Sequence, residues 1–518
     1  MKKFLIILII ILFGLTGCIQ TGTDDGEIDY ITIDLIETEI LLLPTPLDES
    51  VRESVELITQ LVNELSEKEI ALIENYDIYI NAVNYFKALD EREETRNEIF
   101  KELEAYYLNY LPEVVSEDLV FPTKHETQLG DVTITWGSSD YNTISMKGIV
   151  TRGRKVTRVT LTITFILENQ RYSFTKVVSV MPITFDPLPE KGLSIAYMTV
   201  NSNFTEFRPI VRESVDIINY SFASISNGQI SVLSLGNLTN LLREREKGTR
   251  ILFSIGPYGD DFVVPASTAA GREKLANSIV DTIVKYNFDG VDIDWETPDS
   301  VTRNNFTALI KEISTKLKAI DKTYLVTAAT ASASLSGYDF AELNKYLDMY
   351  NIMTYDLNAR DRVTHNSQLY SSNNTAASYS GHNAITNYIN AGADKSKLVL
   401  GAAFYGKQYK LASTSGSIIG KTVVATSVSN ITYANIKSTF LYRLGNGVTR
   451  YWDDDAKMPY LYDANNGTVV VYDDPESVAF KAKYVLDNNL KGLMFWQLNQ
   501  DSNDDLITAI NTNLIKKR

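Results

Sequence analysis

Three periodicities in the sequence predict a multidomain chain that ends in a (β/α)8, or TIM, barrel. From Lys191 to Arg518, short apolar β-rich runs alternate with amphipathic helical stretches, which is the pattern of parallel strands joined by crossover helices. Upstream, apolar residues recur at helical spacing between Leu47 and Leu111, and the period changes to two between Glu113 and Ile183. The length of 518 residues agrees, since domains usually take about 100–200 residues each.

The beginning of the chain reads as a targeting segment. Lys2 and Lys3 precede the apolar stretch Phe4 to Leu15, which falls short of the roughly 20 residues that span a bilayer. The single cysteine, Cys18, follows Leu15-Thr16-Gly17, and this run resembles the bacterial lipobox. The resemblance implies a lipid-modified Cys18 and an extracytoplasmic protein held at a membrane or cell surface, with residues 1–18 as its signal peptide. Residues 19–48 have scattered acids and two prolines, and are expected to be a tether. A net charge of −16 argues against a nucleic-acid partner, because a phosphate backbone would be repelled.

Residues 49–112 are expected to form a small helical bundle acting as a spacer. Val51, Val55, Ile58, Leu61 and Leu65 lie on one helical face, and Ser66-Glu-Lys-Glu69 fits a capping box that opens a second helix. In residues 113–184, Val132, Ile134 and Trp136 alternate with threonines, as do Val159, Leu161, Ile163 and Phe165. Ile134 to Asp140 with Gly148 to Arg152 resembles reduced immunoglobulin-like modules of secreted bacterial enzymes, which implies a small β-sandwich. Phe185-Asp-Pro-Leu-Pro-Glu190 reads as a stiff linker.

The barrel, residues 191–518, has eight candidate strands: Gly192 to Tyr197, Asp216 to Ala223, Arg250 to Ile255, Asp289 to Trp295, Tyr324 to Ala329, Met349 to Tyr355, Leu398 to Phe404 and Gly492 to Trp496. The gap before the eighth is too long for a simple crossover, so a small α+β insertion is expected at about 405–471, walling one side of a cleft.

The chemistry concentrates in Asp289-Gly-Val-Asp-Ile-Asp-Trp-Glu296. In a strand, residues two apart share a face, so Asp292, Asp294 and Glu296 point one way and Val291, Ile293 and Trp295 the other. Adjacent carboxylates facing a barrel interior cannot all ionise cheaply, and at least one is expected to hold a proton near neutral pH. A protonated carboxyl beside carboxylates is what general-acid cleavage of a glycosidic bond needs.

This run matches the Asp-x-x-Asp-x-Asp-x-Glu signature of glycoside hydrolase family 18, the chitinase family, and the chain is similar to that family elsewhere too. Met353-Thr-Tyr-Asp356, Gly492-Leu-Met-Phe-Trp496 with Asp501, Asn219-Tyr-Ser-Phe-Ala223, Gly401-Ala-Ala-Phe-Tyr-Gly406 and Tyr472-Asp-Asp-Pro-Glu-Ser477 resemble further family segments in the same order. The resemblance implies retaining hydrolysis of β-1,4-linked N-acetylglucosamine polymers, in which the substrate's own N-acetyl group is the nucleophile. It implies Glu296 as acid and then base, Asp294 as the group that orients the acetamide, Asp292 as its proton-sharing partner, and Tyr355 as a donor to the acetamide carbonyl. Asp356, Trp496, Tyr197, Phe222, Met353 and Tyr405 are the implied sugar-binding residues, with Trp496 stacking beneath the sugar; Asp289 is as readily structural as catalytic. Two departures stand out: Pro257 in Ser254-Ile-Gly-Pro257, where the family usually has a second glycine, and Lys407 where it usually has arginine.

No cofactor or metal is expected, since His125, His365 and His382 lie apart without ligand spacing, and Asp453 to Asp455 and Asp473-Asp474 read as solvated acidic faces. A monomer is expected, with a polysaccharide as its partner. Two other readings remain open: an endo-β-N-acetylglucosaminidase or cell-wall glycan hydrolase on the same fold, and a non-catalytic chitin-binding lectin, against which Glu296 speaks.

Overall fold

The computed structural model describes residues 28–199, 204, 206–231, 238–372, 379–411, 418–424 and 428–518. The targeting segment and Cys18 lie outside the described residues. The chain divides into two compact units, one within Met1–Leu111 with Pro122–Thr135 and Ile163–Phe174, the other Pro112–Phe121, Trp136–Thr162 and Thr175–Arg518.

The first unit is built on helices Tyr30–Leu41, Arg52–Val62, Glu67–Ile70 and Tyr76–Tyr110. Ile33, Ile36 and Ile40 recur at helical spacing and pack with Val55, Ile58, Val62, Tyr79 and Phe86, so part of the stretch expected to be a tether is a core helix. The Ser66–Glu69 capping box forms, but it opens only a single turn; the long helix starts at Tyr76 and runs 35 residues.

The period-two region forms one five-stranded mixed sheet: β1 (Val114–Val115), β2 (Lys124–Thr127), β3 (Gly130–Ser138), β4 (Thr157–Leu167) and β5 (Gln170–Val180), in the order β1-β5-β4-β3-β2. The β4–β5 turn is two residues, Glu168 and Asn169, both with positive φ, the geometry that matches strand twist.

The barrel strands follow as β6 (Leu193–Thr199), β7 (Ile217–Ser226, extended as a hairpin by β8, Gln229–Ser231), β9 (Arg250–Ile255), β10 (Gly290–Ile293), β11 (Leu325–Ala331), β12 (Met349–Met353), β13 (Leu398–Ala403) and, after the insertion, β19 (Gly492–Trp496). They pair in parallel around the ring, and β6 closes it by pairing with both β7 and β19. All eight sequence-derived runs are therefore barrel strands. Leu193, Ile195, Ile217, Leu252, Met349, Val399 and Met494 fill the interior, while a larger apolar layer joins the strands to the helices. The insertion is an antiparallel sheet of β14 (Tyr405–Lys410), β15 (Ser429–Thr432), β16 (Val448–Asp453), β17 (Met458–Asp463) and β18 (Thr468–Val471), in the order β15-β14-β18-β17-β16, with the helix Tyr433–Thr439.

Two buried charge clusters brace this unit. Asp289, at the start of β10, accepts hydrogen bonds from Arg245 Nε (3.0 Å) and Nη2 (2.8 Å), from Arg154 Nη2 (3.1 Å) and from the Ile251 amide (2.8 Å), so its role is structural. Arg245 also donates to the Arg152 carbonyl, and the Phe185 ring lies beneath the guanidinium of Arg250 at 3.6 Å, so the linker is packed rather than loose. The second cluster corrects the expectation for Asp473-Asp474. Asp473 is buried against Lys481 Nζ at 2.6 Å and accepts from Ser367, Ser477 and the Ala403 amide, and Asp474 caps helix Pro475–Asp487. Replacing Arg245 by Met is expected to destabilise the barrel by about 3–5 kcal/mol, the usual cost of leaving a buried charge under-paired, read as a lower urea midpoint of the barrel transition.

Candidate active site

The acidic run ends β10 at the mouth of the barrel, and the alternation expected from its sequence holds. Asp292 is fully buried and points inward, where four side chains from four other strands meet it. Tyr197 Oη of β6 (2.9 Å) and Ser254 Oγ of β9 (2.9 Å) donate to one oxygen; Thr327 Oγ1 of β11 (2.6 Å) and Asn351 Nδ2 of β12 (3.0 Å) donate to the other. Burial pushes the Asp292 carboxyl up, and these four bonds oppose that by favouring the carboxylate. Val291, Ile293 and Trp295 face the helices, where Trp295 stacks on Phe262 at 5.2 Å.

One residue pair further out, Asp294 is also buried, and its Oδ1 has no hydrogen-bond partner among the described residues. Burial, then the charges of Glu296 and Asp292, push its carboxyl well above the ordinary range. The β9–helix loop wraps this pair: a Cβ on Gly256 would stand 2.2 Å from the Asp294 carbonyl oxygen, so only glycine allows that approach. Pro257 of the same loop lines the cavity instead of filling it.

Glu296 opens into a cavity of about 450 Å³ at the strand ends. Its carboxyl is also pushed up, first by burial and then by the charge of Asp356. Asp356, at the end of β12, therefore acts on Glu296 from outside its own strand, in addition to the strand neighbour Asp294, whose carboxyl the Glu296 charge helps to push up. Asp356 accepts from Tyr405 Oη (2.7 Å) and pairs with Lys407 Nζ (2.5 Å). Lys407 reaches in turn to Asn430 Oδ1 (2.8 Å), because β14 and β15 pair Lys407 opposite Asn430. Tyr355 is held in its protonated form, its hydroxyl pushed well up by burial and then by Asp294, which leaves it a donor at neutral pH. The floor is aromatic: Trp496 stacks on Phe222 at 5.5 Å with a 16° interplanar angle and meets Tyr197 at 5.7 Å.

Thus Tyr197, Phe222, Asp294, Glu296, Met353, Tyr355, Asp356, Tyr405 and Trp496 all line one cavity, with Asp292 directly beneath. Gln408, Asn430, Thr432, Asn435 and Gln500 also line it and were not legible in the sequence. Four of them belong to the insertion, whose register no spacing rule gives. Of the histidines, His365 pairs with Asp453 at 2.9 Å and His382 with Tyr484 at 3.0 Å, both away from the cavity.

Residues 194–501 match the family model described as glycosyl hydrolases family 18. The chain belongs to glycosyl hydrolase family 18. Its barrel carries the motifs named above. The chain is 34% identical over 311 residues to Chitinase A1 of Niallia circulans, covering 54% of this chain and 44% of that protein. It is 30% identical over 393 residues to Chitinase B of Serratia marcescens, covering 60% and 77%. Among solved structures, a family 18 N-acetylglucosaminidase from Paenibacillus barengoltzii is similar at 28% identity and a TM-score of 0.56, covering 62% of this chain and 99% of that one. The chain thus spans less than half the length of the first of these relatives.

For a general acid with a raised pKa, activity persists while the group is protonated and falls as pH rises through that pKa. Removing the Asp356 charge lowers the Glu296 pKa, so Asp356→Asn is expected to move the alkaline limb of kcat/KM to lower pH. A limb that stays in place in the kcat/KM–pH profile of this variant contradicts the assigned cause.

Proposed function

We propose that this glycosidase cleaves β-1,4-linked N-acetylglucosamine polymers, chitin or its oligosaccharides, by substrate-assisted hydrolysis with retention. The observation that carries the reading is Asp294: a buried carboxyl with an unpartnered oxygen beside the acid Glu296, near the donor Tyr355 and above the Trp496 floor. That is a place for an acetamido group. Its N–H would be received by Asp294 and its carbonyl oxygen steadied by the Tyr355 hydroxyl, so that the carbonyl oxygen is aimed at C1.

In the first step Glu296 gives its proton to the glycosidic oxygen as the C1–O bond breaks, and the acetamide oxygen bonds to C1 as an oxazolinium ion. Asp294 stabilises the positive charge on nitrogen. In the second step the Glu296 carboxylate takes a proton from water, which attacks C1 and breaks the C1–O bond to the acetamide. Two inversions give net retention. Asp292, held by four donors, lies beneath Asp294 and shares the site's proton with it as the charge above changes. Asp356 and Lys407 hold the cavity wall, and Trp496 presents an apolar face to the sugar ring.

The chitinases and the N-acetylglucosaminidase similar to the barrel support this substrate class over N-glycan cores and wall glycans. The lipobox-like run at Cys18 supports an extracytoplasmic, lipid-anchored location. We assign the five-stranded sheet to the reduced immunoglobulin-like class on the strength of its sequence pattern, as a spacer.

Glu296→Gln is expected to lower kcat on N-acetylglucosamine oligomers by about 10²–10⁴-fold while leaving oligomer binding intact. Chitin oligomers, peptidoglycan and a high-mannose glycoprotein assayed side by side test the substrate, and NMR of the first-formed anomer tests retention. Turnover by Glu296→Gln equal to that of the parent would sink the assignment. Cys18→Ala is expected to shift the protein from the membrane fraction to the soluble one, seen by fractionation and loss of acyl labelling.

A further inference from the structure

The first unit carries a second aromatic surface, separate in its residues from the catalytic cavity. Near the end of helix Tyr76–Tyr110, Tyr106 and Tyr110 stand one turn apart with rings 6.1 Å between centroids and only 15° from coplanar. They are 53% and 39% exposed, so the helix spends two large rings on solvent when its core face, with Leu103 and Tyr107, is already filled. Tyr107 and the His125 ring of β2 pack against Tyr106 edge-on, at 5.0 and 5.9 Å, and steady its ring. A groove of about 610 Å³ runs alongside, lined by Glu102, Leu103 and Tyr106 of the helix and by Glu126, Thr127 and Gln128 of the β2 segment.

We infer that this groove is a non-catalytic binding site for a neutral polysaccharide of the kind the barrel hydrolyses. An exposed ring with a supported, near-coplanar neighbour offers a face for the C–H side of a sugar. Carboxylate, amide and hydroxyl groups along the opposite side offer the acceptors and donors that sugar hydroxyls require. The acidic lining residues Glu102 and Glu126 disfavour a polyanion. An apolar peptide partner would want a continuous apolar stripe, and the wall formed by residues 126–128 is polar instead. A second site on the unit that precedes the barrel would keep the enzyme on an insoluble polymer between cleavages, raising the local substrate concentration. The identity of the polymer rests on the reading under Proposed function; the groove's preference for a neutral sugar chain does not.

The test uses the full chain. In the Glu296→Gln background, which prevents digestion, Tyr106→Ala is expected to bind insoluble chitin particles about tenfold more weakly in a depletion assay. Tyr106→Phe, which keeps the ring, should bind as the parent does. Glu126→Ala with Gln128→Ala, both on exposed positions, provides an independent variant that removes the polar side. With Glu296 intact, kcat/KM of Tyr106→Ala on soluble N-acetylglucosamine tetramer should equal that of the parent. Cellulose and peptidoglycan sacculi are assayed in parallel. If the parent hydrolyses no N-acetylglucosamine polymer, the functional reading falls, yet Tyr106-dependent binding to chitin or cellulose upholds the groove, whereas Tyr106-dependent binding to the anionic sacculi alone overturns it. Binding to all three that is unchanged by both Tyr106→Ala and the polar double variant overturns it, as does a parent that binds none or a Tyr106-dependent affinity for an extended peptide at the β2 edge instead.

Discussion

The carboxylate of Asp292 is the point on which the catalytic end of the barrel depends. It has no solvent, and four side chains from β6, β9, β11 and β12 converge on its two oxygens. Such a group is costly unless every lone pair is met, and here the donors are polar residues at inward positions of strands that otherwise bury apolar ones. The network ties β10 to four of the other seven strands at a single level. It also places a carboxylate directly under Asp294, which adds to burial and to the Glu296 charge in pushing the next carboxyl outward toward its protonated form. Structure and chemistry share one device: the bonds that hold the strands in register also set the electrostatics of the reacting layer.

Outward from that level the polarity is graded. Asp292 is fully bonded, Asp294 is buried but leaves an oxygen unpartnered, and Glu296 opens to the cavity. Each step trades satisfied hydrogen bonds for room to receive a substrate. The cavity wall then needs its own supports, because Asp356 lies at a strand end where no neighbouring strand holds it. Tyr405 and Lys407 from β14 do so, and Lys407 is steadied by Asn430 of β15. The lysine at this position acts as a point charge with two oxygens to satisfy, so a planar guanidinium fork is not needed for the contacts it makes here. The insertion is itself fastened to the barrel through the buried Asp473–Lys481 pair, which reaches the end of β13 and the loop after β12.

The opposite end of the barrel shows how a residue of the acidic run can serve the fold. Asp289 opens the acidic run, yet its partners are Arg245, Arg154 and a backbone amide. Arg154 comes from the segment just before β4, and Phe185 from the linker lies under the same group of guanidiniums. A linker rich in proline reads as a spacer because it cannot pair in a sheet; its aromatic residue nonetheless found cations to cover.

Strand identity and the catalytic run were legible because both are local. Period-two alternation marks which of Asp292, Asp294 and Glu296 share a face, and uninterrupted apolar runs mark parallel strands buried on both sides. The helix Tyr30–Leu41 was hidden because prolines and acids around it masked an isoleucine spacing that matters only once a neighbouring helix covers it. Asp473 and Asp474 read as solvated because a sequence does not show that Lys481 arrives two turns later to neutralise one of them. The sequence by itself determined the eight strands, the acidic run and the aromatic residues that surround it. Only the tertiary structure decided that Asp356 acts on Glu296, that Lys407 and Asn430 support it, and that four donors meet at Asp292, since each of these depends on residues far apart in the chain that packing alone brings together.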